Sequence, residues 1–109
     1  MIQQIIQDVS DETGIDLYEK TRQRENVYAR SVAFKLARDL TLLPLQKIGK
    51  ALNKNHATVL HALKNFEIIA MYEPKFYSVY LNIRNKYERG GNILVNDVDL
   101  LNDIVKFKK

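Results

Sequence analysis

Residues 41–62 read TLLPLQKIGKALNKNHATVLHA. Two apolar repeats meet here across a short polar run. Leu45, Ile48 and Leu52 recur at the spacing of one helix face. Pro44 suits a first helical turn, where its missing N–H costs nothing, and Thr41 offers the side-chain oxygen of an N-cap. NKNH (53–56) interrupts the pattern as a tight polar turn. A second helix is predicted from near Asn55 to about Met71, with Asn55 as its N-cap, because its side-chain oxygen can accept from an unpaired backbone N–H two or three residues on. A short helix, a tight turn and a longer helix with a polar leading edge make the pattern of a helix-turn-helix. In that arrangement the start of the second helix can present short polar side chains to base edges in a major groove. Helical corners without any nucleic-acid role share the same pattern.

The flanking residues extend an all-α reading. Two prolines and four glycines punctuate 109 residues, and strict apolar–polar alternation is scarce. Ile2, Ile5, Ile6 and Val9 mark a short amphipathic helix ending before Gly14, followed by a densely charged loop through DLYEKTRQREN (16–26). Val27, Val32, Leu36 and Leu40, with Ala29, Ala33 and Ala37, describe a long helix over about 26–40, its polar stripe carrying Arg30, Lys35 and Arg38. In the helix after the turn, Val59, Leu63, Phe66 and Ala70 share one arc with Leu60 and Ala62 at its edges, and Ala57, Thr58, His61, Lys64 and Asn65 lie opposite. Beyond Pro74, Phe76, Val79, Tyr80, Ile83 and Tyr87 outline another helix closed by Gly90–Gly91, and a last short helix is expected around Val98–Phe107. The length suits a single domain with one core: an acidic helix and loop (1–19), a helical body (20–89) and a C-terminal extension (90–109).

Charge is distributed unevenly. Residues 1–19 carry five acids and no base, whereas 20–64 carry ten bases and two acids. So basic a block, interleaved with helical periodicity, fits a polyanion partner or a solvated basic face. No cysteine is present, which removes disulfides, thiol chemistry and thiolate metal sites. The two histidines, His56 and His61, are five residues apart, about 140° around a helix, too far to share a metal or substrate from one face. Neither catalysis nor a cofactor is indicated. Phe76, Tyr77, Tyr80 and Tyr87 could stack bases, but their helical spacing is that of core packing. No apolar run or signal-like start is visible, and a cytoplasmic, nucleoid-associated location is expected.

One family resemblance is specific. TRQRENVYARSVAFKLARDLTLLPLQKIGKALNKNHATVLHALKNFE (21–67) resembles the C-terminal DNA-binding domain, domain IV, of the bacterial replication initiator DnaA. That family has a basic R-x-R loop, a helix ending LA-[RK]-[ED]-LT, an x-I-G helix and the signature GRDHTTVLHA. The matching stretches are TRQRENVYAR (21–30), LARDLT (36–41), QKIGKAL (46–52) and KNHATVLHALKNFE (54–67), within a resemblance spanning about 20–87. It implies a compact all-α domain of five to six helices of the DnaA domain IV or Trp-repressor-like type, binding double-stranded DNA in origin recognition or transcription regulation. Arg22 would enter the minor groove, where a narrow groove attracts guanidinium groups. Arg24 and Arg30 would contact phosphate or base edges, Arg38 the backbone, and Lys54, Asn55, His56, Ala57 and Thr58 the major groove. His61 would face phosphate or solvent.

Asn55 stands where the family has aspartate, Ala57 where it has threonine, and the turn is one residue shorter. Aspartate accepts from cytosine, whereas asparagine, donating and accepting at once, suits adenine. The family's nucleotide-binding domain has no counterpart here, and no G-x-x-x-x-G-K-[ST] occurs, so a module without ATPase activity is expected. The N-terminal helix and the tail, outside the strongest resemblance, could complete the core, bind a protein partner or support self-association. A protein-interaction module with weak nonspecific nucleic-acid binding is the competing reading.

Overall fold

A computed structural model describes residues 1–89, which form five helices: α1 (Ile2–Thr13), α2 (Arg24–Leu40), α3 (Leu45–Lys50), α4 (His56–Tyr72) and α5 (Pro74–Arg89). The helix expected around Val98–Phe107 lies outside the described residues.

α2 is the axle. The other four helices all pack against it, and ten of its seventeen residues are buried, among them Ala29, Val32, Ala33, Leu36 and Ala37. The alanines at 29, 33 and 37 let neighbouring backbones approach closely. Being surrounded, α2 also buries Phe34, which falls outside a single amphipathic stripe, while Val27 points outward at 38% exposure against expectation. α1 completes this core. Ile5, Ile6 and Val9 are buried, and the helix stops at Gly14, whose φ of 70° lets its N–H close back on the Ser10 carbonyl at 2.8 Å.

Two polar clusters fasten α5. The Asp8 carboxylate, nearly sealed from solvent, accepts from Tyr87 Oη at 2.8 Å, from Lys86 Nζ at 3.3 Å and from Gln4 Nε2 at 3.0 Å, so α1 and α5 are cross-linked. Asp39 in the last turn of α2 accepts from the Tyr80 hydroxyl, which in turn accepts from Arg84 Nη1 at 2.6 Å. Burial, then the adjacent carboxylates, push the Tyr80 and Tyr87 hydroxyls above the usual tyrosine range. Three of the four aromatic residues expected on this helix are therefore packing groups, and Tyr77 is exposed. Phe76, Tyr80 and Tyr87 are buried, with Phe66 and Tyr28 against them.

Thr41 does not cap α3. It is the C-cap of α2, its hydroxyl donating to the Ala37 carbonyl at 2.6 Å and accepting from the Leu43 N–H at 3.2 Å. The residue before a proline is disfavoured in helical geometry, so α3 starts only after Pro44, the actual N-cap. In α4 the buried set is Val59, Ala62, Phe66 and Ile69, with Leu63 and Ala70 half-buried and Leu60 exposed. The inward face is thus rotated by about 50° from the expected arc.

Candidate nucleic-acid interface

The α3–α4 corner is held by one close approach. A Cβ on Gly49 would lie 2.5 Å from the Lys54 carbonyl oxygen and 3.1 Å from both the Asn55 carbonyl oxygen and Val59 Cγ2. Only glycine lets the end of α3 sit this near the start of α4. The Lys54 N–H then donates to the Gly49 carbonyl at 2.9 Å, and Asn53 turns the chain at φ 58°, a left-handed value that asparagine tolerates better than most residues. Ile48, Leu52 and Val59 lock the corner to the core from beneath.

Asn55 caps α4 as expected. Its Oδ1 accepts from the Thr58 backbone N–H at 2.8 Å and also from the Thr58 hydroxyl at 3.0 Å. A carbonyl oxygen has two lone pairs, and both are engaged. Against the expectation that Asn55 could donate and accept together toward adenine, its oxygen is committed inside the protein, and on this exposed residue Nδ2 has no hydrogen-bond partner among the described residues. His56, Ala57 and Thr58 are exposed beside it, and Lys54 is half-buried. His61 follows one turn later, its Nε2 2.9 Å from Asn65 Nδ2.

Four further residues join this surface. Gln46, Lys47, Lys50 and Asn53 line one open concavity together with Lys54, Asn55 and His56. With Leu45, Ile48 and Leu52 turned inward, Gln46, Lys47 and Lys50 must share the outer arc of α3. That signal was present in the sequence. Electrostatically the corner is one-signed: three lysines surround the positive end of α4, and its first turn holds no acid. The backbone N–H groups of His56 and Ala57 have no partner within the helix, as at any helix start.

The basic loop lies at the other end of α2. Arg22 is exposed in the loop, and exposed Arg24 begins the helix. Arg30 departs from its expected role. It is buried, its guanidinium turned inward to donate from Nη1 to the Glu19 carbonyl at 3.2 Å and from Nη2 to the Thr21 carbonyl at 2.7 Å. Burial lowers its affinity for the proton. A guanidinium spent on loop carbonyls cannot at the same time grip phosphate with those N–H groups, so Arg30 shapes the loop that presents Arg22 and Arg24. Arg38 is exposed in the last turn of α2, nearer the corner. No group of three metal-ligating side chains gathers among the described residues.

The family model described as bacterial dnaA protein helix-turn-helix matches residues 1–65. The chain belongs to that family. It is accordingly a DNA-binding helix-turn-helix module. The match begins at residue 1, so α1 lies inside the DnaA-type region that the sequence motifs alone placed from residue 20. Among curated proteins, it is 39% identical over 87 residues to the chromosomal replication initiator protein DnaA of Oleidesulfovibrio alaskensis, covering 80% of this chain and 18% of that protein. It is 53% identical over 49 residues to DnaA of Bacteroides fragilis (44% and 10% covered), and 34% identical over 68 residues to DnaA 2 of Protochlamydia amoebophila (60% and 15% covered). The matched segments thus span less than a fifth of these relatives. No solved structure matches. Among the described residues no helix is long and apolar enough to cross a membrane.

Proposed function

We propose that this DnaA-type module binds double-stranded DNA sequence-specifically at replication-origin sites in the cytoplasm, with the start of α4 in the major groove and the Arg22–Arg24 loop at the adjacent minor groove. The supporting observation is the corner itself. An asparagine-capped helix start leaves His56, Ala57 and Thr58 exposed, and Lys47, Lys50 and Lys54 flank them on one concave face. Short side chains at a helix N-terminus fit base edges, while the lysines and the unpaired helix-start N–H groups fit phosphates. α2, about 25 Å long, separates the loop from the corner, a span that lies within one turn of a duplex. Phosphate contacts would supply affinity and register, and the α4 edge would supply sequence.

Selection of bound duplexes from random DNA tests this directly. An enriched motif is the expected result, and one resembling the initiator's box would identify origin binding. A single asymmetric motif would mark a monomer, and a palindrome with half-sites about one helical turn apart a dimer. Binding without enrichment of any motif would overturn sequence-specific recognition.

A further inference from the structure

We propose that Asn55 reads its base pair as a hydrogen-bond donor alone and selects guanine at that position. This inference rests on the major-groove reading above. Both lone pairs of Asn55 Oδ1 are taken by the Thr58 N–H and hydroxyl, at 2.8 and 3.0 Å. The identity of this atom is fixed by the bond itself, since only the oxygen can accept from a backbone N–H. What remains is Nδ2, with two N–H groups on an exposed side chain.

A free asparagine side chain pairs with adenine by donating to N7 and accepting from the N6 amino group. The capped side chain cannot accept, so adenine offers it one acceptor and one facing donor. Guanine places two acceptors, O6 and N7, side by side in the major groove, thymine offers O4 alone, and cytosine presents only a donor. The donor-only group therefore ranks guanine first and cytosine last. The same geometry assigns the outward capacity of Thr58: its proton is spent on Asn55, so its hydroxyl oxygen is left as an acceptor for an amino group on a neighbouring base.

The discriminating substitutions keep the cap. Asp and Ser are N-caps as good as Asn, so helix α4 should start unchanged in Asn55→Asp and Asn55→Ser. In Asn55→Asp the outward atom becomes an acceptor oxygen, and in Asn55→Ser no group extends past the cap. Random-duplex selection on the wild-type protein and both variants should show guanine at one position in the wild type, its replacement by cytosine in Asn55→Asp, and loss of preference there alone in Asn55→Ser. In binding measurements on duplexes differing at that base pair, the ratio of affinities should invert by about tenfold or more between wild type and Asn55→Asp. Adenine at that position in the wild type, or a motif unchanged by Asn55→Asp, would overturn the inference while leaving DNA recognition by the corner standing. Absence of any motif from the wild-type selection would overturn both.

Discussion

Replacing Gly49 with alanine sets two physical effects of opposite sign against each other. Helix propensity alone favours the change by about 1 kcal/mol, because alanine restricts the unfolded chain and glycine does not. The structure opposes it. The new Cβ would sit 2.5 Å from the Lys54 carbonyl oxygen and 3.1 Å from the Asn55 carbonyl oxygen. Both are backbone atoms of the turn that carries the α4 cap, so relief requires moving the whole start of α4. Overpacking of this kind costs about 1–3 kcal/mol, and shifting the turn weakens the Lys54 N–H bond to Gly49 O, worth about 1 kcal/mol. The net expectation for Gly49→Ala is a loss of about 1–3 kcal/mol, or roughly 4–8 °C in melting temperature for each kcal/mol. Urea denaturation measures it, with exposed Lys50→Ala in the same helix as the control expected to stay within about 0.5 kcal/mol. Because the leading edge of α4 moves with the turn, DNA affinity should fall in Gly49→Ala even where the protein remains fully folded. A variant as stable as the wild type, or more so, would show that propensity wins and that the close approach does not hold the corner.

Arg30→Met should cost about 1–3 kcal/mol by removing charge-assisted bonds to the Glu19 and Thr21 carbonyls, and should weaken DNA binding by releasing the loop. Arg22→Ala should leave the melting temperature unchanged and reduce the slope of log affinity against log salt by about 1. An unchanged slope would remove Arg22 from the interface. For His56→Ala the selected motif should lose discrimination at one or two positions, about 1–3 kcal/mol each, and an unaltered motif and affinity would rule out its place at the groove. Stability should hold steady toward pH 10 and decline above it. The Tyr80 and Tyr87 hydroxyls are raised in the folded state, so above the ordinary tyrosine value of 10.0 the unfolded chain loses protons first and is favoured. Urea midpoints at pH 8 and 11 should differ less in Tyr87→Phe than in the wild type.

The helix-turn-helix was legible because its determinants are local. Two apolar repeats, a four-residue polar run and a capping asparagine lie within 22 residues, and the structure reproduces each of them. The orientation of α4 was less legible. Leu60, Ile68, Met71 and Tyr72 make it apolar on its outer side as well, and Tyr72 is 73% exposed, so the repeat admits more than one inward face. Arg30 was expected on an outward polar stripe at the DNA, and Asp8 was counted only among the acids of residues 1–19, because a sequence gives no sign of what will cover them. Tyr87, seventy-nine residues from Asp8, and the carbonyls of a loop without periodicity supply that cover. Lys47 and Lys50 are the opposite case. Their arc follows from the inward positions of Leu45, Ile48 and Leu52, but the expected contact residues passed from Arg38 to Lys54 and left this six-residue helix out.

No hydrogen bond or ion pair among the described residues joins the two candidate contact regions, and both are carried by elements that pack on or begin α2. Arg30 ties the basic loop to one end of that helix, and the two helices of the corner, α3 and α4, pack against it. A duplex grips both only if their separation and relative rotation match the spacing of its grooves, so the packing around α2 sets a geometric term in affinity that neither region contains alone. This gives a function to the polar links of α5. By fastening Tyr80 to the last turn of α2, and Tyr87 and Lys86 to Asp8 of α1, they resist rotation of α2 within the bundle in a way that apolar contacts, which are non-directional, do not. Directional bonds placed far from any base can thereby set the register of the residues that would read them.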